Sequence, residues 1–360
     1  YFFSSIIFMQ NRIPFIKSGK ILVYRLYDVA NEIDLLKVEN RLKKDAKRLK
    51  ITRRPFSKAF EFANPPLSFE LKGFYKEIKK EKYKVNVYCK VYDFGVLGII
   101  FEFVVSDLDI LHFEDLAILI DSDEYIDLEF RDYLNQVVTV LEGCFIGFNI
   151  SRFEEDYTIF FIERFSPELE FEDFLSSYNI TSLMFSERGN FSERINMELI
   201  SSRFSYYKND GVILNWDNAL IVEPSGSTEI SDLLEFANAQ LLELRYYDHI
   251  VDNELAHIQD SISEKGSLSI WKIKKYERLA AKIMQTITEL TEITEKIDTS
   301  LKVTEDVYYA KVYMEAINLF KVKEWERNIK KKLDIASNAC DMLYREISNK
   351  RLELLELAIV

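Results

Sequence analysis

The sequence is poor in the residue types from which most catalytic and cofactor sites are built. Its 360 residues include only 10 glycines, 6 prolines, 3 histidines and 3 cysteines. The cysteines, Cys89, Cys144 and Cys340, are far apart and show no Cys-x-x-Cys spacing, so they indicate neither a disulfide framework nor a thiolate zinc site. A reducing compartment is therefore expected.

The short motifs that hold phosphates or build hydrolases are also missing. The sequence contains no Gly-x-Gly-x-x-Gly, no Gly-Lys-Ser/Thr, no Gly-x-Ser-x-Gly and no His-Glu-x-x-His. These absences argue against P-loop and Rossmann nucleotide binding and against hydrolases that depend on such motifs. We therefore predict a protein that is not an enzyme and that uses no cofactor and no metal.

Two groups of polar residues leave chemical alternatives open. Glu154, Glu155 and Asp156 could act as acids or bases together with residues that are distant in sequence. His249 and Asp252 are three apart on a predicted helix and could share a metal, although a metal site needs three or more protein ligands. The alternative is that both groups are ordinary surface residues.

Apolar and acidic side chains are abundant. Hydrophobic residues make up 48% of the chain and aromatic residues 14%, which is enough for a sizeable core and excludes disorder as the main state. The 60 acidic and 47 basic residues give a formal charge of −13, which argues against a surface built as a whole to bind a polyanion.

One basic stretch stands out against this acidic background. It covers a predicted amphipathic helix over residues 33–49 and the residues just beyond that helix. On a helix, these side chains could contact the phosphates of RNA or anionic lipids. The alternative is a solvated helix face. The candidate polyanion contacts are Lys43, Lys44, Lys47, Arg48, Arg53 and Arg54.

Residues 20–226 predict an α+β domain with a mainly antiparallel sheet, preceded by a segment of uncertain structure over residues 1–19. Strands and helices alternate here, and hairpin turns such as Asp93-Phe94-Gly95 and Asp217-Asn218 join several of the strands. The predicted strands are 20–26, 84–92, 96–103, 157–163, 211–216 and 219–222, and the predicted helices after the first are 113–120 and 125–141.

Residues 227–360 predict a domain of long helices that form a helical hairpin or a coiled-coil bundle. Apolar residues recur at alternating steps of four and three over residues 230–262, 279–301 and 325–347, and such stripes must pack on one another or on a second subunit. Asp248 is the polar position in the first stripe, where it could set the register or contact Arg245. The candidate residues for helix packing or oligomer contacts are Leu234, Leu241, Leu244, Val251, Leu255, Trp325, Ile329 and Leu343.

The sequence becomes more apolar from Arg351 to Val360. We expect this run to continue into a membrane span beyond Val360. The alternative is a short apolar tail that packs on the helical domain.

Two stretches, Tyr206–Leu220 and Leu233–Asp248, resemble a group of uncharacterised bacterial proteins. This group is distantly similar to the "required for meiotic nuclear division" family, whose eukaryotic members are mitochondrial. The resemblance implies an α+β domain, long C-terminal helices and one or two hydrophobic helices after them, and it defines no catalytic residue. The further segments that fit it are Tyr92–Val96, Asp156–Phe160, Asp306–Ala310, Phe320–Glu326 and Asn349–Glu353.

Together these features predict a non-enzymatic, membrane-proximal scaffold or adaptor at the cytoplasmic face of the bacterial membrane. It would form a homo-oligomer through its long C-terminal helices. One alternative is the soluble part of a CorA-like ion channel or transporter. Another is a nucleic-acid-associated regulator that uses the basic helix over residues 37–54.

Overall fold

The computed structural model divides the chain by its packing into two units. Tyr1–Ala239 belongs with Lys302–Phe320, and Gln240–Leu301 belongs with Lys321–Val360. The sequence-based division after residue 226 follows the change in secondary structure instead. The structure describes residues 13–44, 51–52, 60–62, 64–263, 274, 277–278, 281, 284–285, 287–288, 291, 301–303 and 306–359.

Strands dominate the first unit. Those of the described residues are β1 (Phe15–Asp28), β2 (Ala30–Ile33), β3 (Ile51–Thr52), β4 (Phe60–Phe62), β5 (Leu67–Ile78), β6 (Glu81–Val91), β7 (Val96–Asp109), β8 (Phe145–Phe148), β9 (Glu154–Phe165), β10 (Arg203–Phe204), β11 (Gly211–Leu214), β12 (Asn218–Val222) and β13 (Leu301–Val303).

The described helices are short in the first half of the chain and long in the second. They are α1 (Leu35–Lys44), α2 (Ile110–Asp121), α3 (Ile126–Val140), α4 (Phe171–Ser177), α5 (Thr181–Met184), α6 (Glu193–Ser201), α7 (Glu229–Ser263), α8 (Val307–Leu319) and α9 (Val322–Ile359). The α+β class with C-terminal helices is confirmed.

In the part of the chain that the structure describes, nine strands form one sheet in the order β10-β11-β12-β9-β1-β7-β6-β5-β3. Neighbouring strands are antiparallel except β9 and β12, which run parallel. This confirms the predicted mainly antiparallel sheet. The central strand β1 pairs with β7 along its whole length, from Phe15 opposite Asp109 to Asp28 opposite Val96.

The predicted hairpin around Asp93-Phe94-Gly95 joins β6 to β7. Gly95 has φ +104°, and a Cβ at this position would lie 1.8 Å from the carbonyl oxygen of Ala30. Because only glycine adopts this backbone without a steric clash, the turn depends on Gly95.

Two boundaries near the N-terminus differ from the prediction. The first strand already begins at Phe15, inside the segment whose structure was uncertain. The predicted start of the basic helix at Ile33 is wrong, because Ile33 ends β2 and its N–H donates to the carbonyl of Asp93. The helix begins after Asp34, whose carboxylate accepts from the N–H of Lys37 in the first turn.

The main core lies between one face of the sheet and the helices α1 to α6. Phe101 of β7 stacks on Phe130 of α3 with 3.7 Å between ring centroids. The carboxylate of Asp109 accepts from the N–H groups of Leu111 and His112 and so caps the start of α2 where β7 ends.

The opposite face of the sheet is covered by the first turns of α7 and by the end of α8. The ring of Phe236 lies 6.2 Å from that of Tyr92, and the ring of Phe320 lies 5.5 Å from that of Tyr157. Residues 233–244 of α7 are all buried, so this part of the helix has no solvated face. Its polar residues must therefore find partners inside the protein.

In the second unit, the later part of α7 packs with α9. The Nζ of Lys332 lies 2.7 Å from both Asp248 Oδ1 and Asp252 Oδ1. The polar position in the apolar stripe of α7 is thus matched by a lysine on the facing helix.

The third predicted stripe is buried along α9, at Ile329, Leu333, Ala336, Cys340 and Ile347. Most of the second stripe, over residues 279–301, lies outside the described residues. The prediction that Leu301 ends this helical stripe is wrong, because Leu301 begins the strand β13. The sequence Leu-Lys-Val alternates apolar and polar side chains as strands do.

Candidate functional site

A polar cluster is buried where the first turns of α7 cross the sheet. It consists of Tyr24 on β1, Lys90 on β6, Tyr92 just after β6, and Asp232 and Glu235 on α7. The Nζ of Lys90 lies 2.6 Å from Asp232 Oδ1 and 2.5 Å from Glu235 Oε2. We call these five residues the α7 clamp.

Local geometry explains why these side chains meet. Asp232 and Glu235 are three residues apart, so they lie on the same face of the helix. Lys90 is directly opposite Gly98 of β7. A Cβ on Gly98 would lie 2.8 Å from Glu235 Oε1, so the absence of a side chain there makes room for the carboxylate.

The cluster is shielded from water. The side chain of Glu235 is fully buried, and those of Lys90 and Asp232 are 12% and 15% exposed. Burial alone would lower the pKa of Lys90, but the two carboxylates outweigh it and raise that pKa. Burial raises the pKa of Glu235, and the nearby ammonium group opposes this rise.

The neighbouring hydroxyl and thiol groups stay protonated at neutral pH. Burial raises the pKa of Tyr24 and of Tyr92, and the charges of Glu235 and Asp232 raise both further. The pKa of Cys89 on β6 is also raised, by burial and by Glu235. The cluster therefore provides neither a tyrosinate nor a thiolate nucleophile.

The arrangement is suited to fastening rather than to catalysis. One ammonium group lies between two carboxyl groups, and the protein encloses all three together with two phenol groups. Because removal of one partner would leave a buried charge uncompensated, the cluster ties the position of α7 to that of β6. Its chemical role is electrostatic attachment of α7 to the sheet.

The sequence did not point to this cluster. Lys90 stands in an alternating strand, where the polar residues are expected to face solvent, and Asp232 and Glu235 resemble the polar side of an amphipathic helix. The available signal was the polar character of Ser231, Glu235 and Asn238, spaced by four and three residues. This spacing puts them on one helix face, but it does not show that the face is covered.

Only one of the predicted polyanion contacts has a described side chain. Lys43 is exposed and lies 2.8 Å from Glu39, one turn earlier on α1. Lys44 is the last residue of α1. The other candidates, Lys47, Arg48, Arg53 and Arg54, lie outside the described residues.

Most predicted helix-packing residues are buried within the chain itself. Leu255 and Trp325 are half-buried, and Leu343 lies within α9. The fully buried members are Leu234, Leu241, Leu244, Val251 and Ile329.

The two groups of polar residues that left chemical alternatives open are dispersed. Glu155 is buried at the start of β9, whereas Asp156 is 68% exposed and lies 3.5 Å from Arg25. Asp252 pairs with Lys332, and the Nε2 of His249 lies 3.0 Å from Asn253. Among the residues that the structure describes, no group of three or more His, Cys, Asp and Glu side chains could hold a metal.

The family model described as "Uncharacterized protein MJ0711, N-terminal domain" matches residues 18–228. The chain belongs to this family. The matched range covers most of the sheet, including Lys90 and Gly98, and ends one residue before α7 begins.

One relative is the "Uncharacterized protein MJ0711" of Methanocaldococcus jannaschii. It is 27% identical over 214 residues, which are 59% of this chain and 65% of the relative. The chain thus matches just under two thirds of that protein's length. No solved structure matches the chain significantly.

None of the helices in the described part of the chain is both long enough and apolar enough to cross a bilayer.

Proposed function

We propose that the protein is a non-enzymatic scaffold or adaptor that acts close to a membrane and oligomerises through its long C-terminal helices. The observation that carries this proposal is the pair of helices α7 and α9, which are 35 and 38 residues long. At 1.5 Å per residue, each spans roughly 50 Å, far more than a small core requires.

The attachment of α7 supports a mechanical role. The α7 clamp holds the first turns of this helix on the sheet by charge as well as by apolar packing. A helix fastened at one end can hold its position under load. These charges hold the helix in a fixed position on the sheet, as a scaffold requires.

A second observation supports oligomerisation. On α9, Ile335 and Met342 are 58% and 65% exposed although both are large and apolar. They are seven residues apart, so they share one face, and at 100° per residue this face lies opposite the buried stripe. It is the face that we propose for contacts between subunits.

The finer parts of the proposal come from the sequence resemblance. They are kinship with the bacterial group and with the "required for meiotic nuclear division" family, and a location at the cytoplasmic face of the bacterial membrane. The proposed partners are further copies of this chain and the membrane.

Two measurements test the proposal. Light scattering of the purified protein should give an oligomer, and Ile335→Lys with Met342→Lys should lower the mass towards that of the monomer, whereas Ser348→Lys on another face of α9 should not. Fractionation of cells should place the native protein in the membrane pellet. A monomer at all concentrations that also stays out of the pellet would contradict the proposal.

A further inference from the structure

The far end of the hairpin of β5 and β6 separates from strand β7. The pairing of β6 with β7 ends at Val85, although β7 runs on to Asp109. Residues 75–84 of the two hairpin strands still pair with each other, and Tyr75 lies directly opposite Lys84. We call residues 75–84 the lysine ribbon.

One face of the lysine ribbon is fixed to the helices. The Nζ of Lys76 lies 2.8 Å from Asp123 Oδ2, just after α2, and 2.9 Å from Glu129 Oε1 on α3. Because successive side chains of a strand point to opposite faces, Tyr75 and its partner Lys84 point away from these helices. They belong to the outer face of the ribbon.

The outer face and the turn carry cations with no counter-charge. Tyr75 is 70% exposed. Lys80 at the turn, and Lys82 and Lys84 on β6, are exposed and form no ion pair with any residue that the structure describes. The acidic residue of this face is Glu77, which lies opposite Lys82.

The turn itself does not require lysine. Lys79 and Lys80 have φ values of 47° and 72°, in the left-handed region that glycine and asparagine adopt most readily. Lys79 lies 3.8 Å from Asp115, whereas Lys80 faces solvent. What these two side chains add to the turn is therefore positive charge.

The ribbon is a basic region of an acidic protein. Residues 72–84 contain six lysines and two glutamates, whereas the whole chain carries a formal charge of −13. At physiological salt, exposed charges are screened beyond roughly 8 Å. An anionic surface in contact with the ribbon therefore meets the lysines, while the carboxylates elsewhere on the protein repel it weakly. Charge complementarity indicates a polyanionic partner.

Two features favour a lipid surface over a nucleic acid. Residues 72–84 contain no arginine, whose planar group makes the paired hydrogen bonds typical of phosphate recognition. Clusters of lysine bind anionic headgroups without a fixed geometry. Tyr75 is alone on its face of the ribbon, whereas platforms for single-stranded nucleic acids stack successive bases on aromatic rings. A tyrosine beside lysines is typical of the membrane–water interface.

We propose that the lysine ribbon binds the anionic headgroups of a lipid bilayer through Lys80, Lys82 and Lys84, with the ring of Tyr75 at the level of the headgroups. This inference rests on the membrane location in the proposed function and deepens it, because it names the surface that touches the bilayer and the class of lipid. It does not depend on contacts between the long helices.

Co-sedimentation of the full chain with lipid vesicles tests the proposal. The protein should bind vesicles of phosphatidylcholine and phosphatidylglycerol, bind pure phosphatidylcholine vesicles far more weakly, and lose affinity as salt is added. A variant with Lys80→Gln, Lys82→Gln and Lys84→Gln should show a partition coefficient about 100-fold lower on the anionic vesicles, because each lysine near the surface contributes to the attraction.

Two further variants separate the ribbon from net charge. Glu77→Gln removes the carboxylate opposite Lys82 and should raise the partition coefficient about fivefold. A control with the same net charge as the triple ribbon variant should bind as the original protein does. It replaces three exposed lysines elsewhere by glutamine, at Lys17, Lys208 and Lys311.

The proposal is wrong if the protein binds neither type of vesicle, if binding does not require anionic lipid, or if the ribbon variant binds as well as its control. Binding to single-stranded RNA that is lost in the ribbon variant, without binding to vesicles, would assign the surface to nucleic acid instead. A protein that binds anionic vesicles through the ribbon but stays out of the membrane pellet of cells would contradict the proposed function alone.

Discussion

The ammonium group of Lys90 lies 2.5 Å from Oε2 of Glu235, a side chain with no exposure to solvent. This contact joins strand β6 to helix α7 across 145 residues of sequence. The same Nζ also contacts Asp232, so one cation pairs with both carboxyl groups of the clamp.

Replacing the cation should cost more than replacing a surface lysine. Lys90→Met leaves two buried carboxylates without a counter-charge, so the free energy of unfolding should fall by about 3–5 kcal/mol. Lys84→Met, at an exposed residue on the same face of β6, is the control and should change it by less than about 0.5 kcal/mol. Urea denaturation measures both, and equal effects would contradict the role assigned to the clamp.

A methyl group at Gly98 should disturb the clamp from the opposite side. The added Cβ of Gly98→Ala would lie 2.8 Å from Glu235 Oε1 and 3.0 Å from Leu26 Cδ2, so we expect a loss of about 1–3 kcal/mol from overpacking. A Cβ on Gly189 would lie 3.8 Å from the ring of Phe191, an ordinary contact, and Gly189→Ala should be nearly neutral. Thermal unfolding of the two variants should separate them clearly.

Asp28 should make stability depend on pH. It is 2% exposed, and burial raises its pKa to about 7, against the opposing hydrogen bond from Ala30. The folded state therefore holds this proton more tightly than the unfolded chain, whose aspartates have pKa values near 3.9. The contribution of Asp28 to stability is full below about pH 4 and is lost as the pH rises through 7.

Asp28→Asn removes this loss. The variant should be more stable than the original protein by about 1–3 kcal/mol at pH 8, and the difference should shrink towards pH 4. Unfolding curves at pH 4, 6 and 8 measure it, with Asp132→Asn at an exposed residue of α3 as the control. A difference that did not vary with pH would assign the effect to packing instead.

The contact of Lys332 with Asp248 should follow the rule for partly buried ion pairs. Lys332→Met alone should destabilise the protein by about 1–2 kcal/mol, because Asp248, 16% exposed, loses its partner. Lys332→Leu combined with Asp248→Leu should recover this loss, because an apolar pair continues the stripe. A double variant as unstable as the single one would show that the ion pair is needed for register.

The elements that were predicted well depend on local sequence. The hairpin from β6 to β7 follows from the alternation of apolar residues and from Gly95, whose backbone conformation other residues disfavour. The buried stripe of α9 follows from steps of four and three residues, which place Ile329, Leu333 and Ala336 on one side of a helix. Both patterns act over a few residues, so no knowledge of the tertiary structure was needed.

Other features depend on contacts between distant parts of the chain. Alternation shows that a strand has two faces, but not which face is covered, so it does not reveal that Lys90 is shielded from water. The apolar stripe of α7 accounts for one face of this helix, yet residues 233–244 are all buried.

The sequence by itself determined the α+β class, the hairpins and the long helices, since turn chemistry and hydrophobic period are written in neighbouring residues. Only the tertiary structure decided that Asp232 and Glu235 meet Lys90 and that Asp248 meets Lys332. How deeply a residue is buried depends on how the helices pack on the sheet. Because the energy of a charged group depends on its burial, the role of such a group can be assigned only from the tertiary structure.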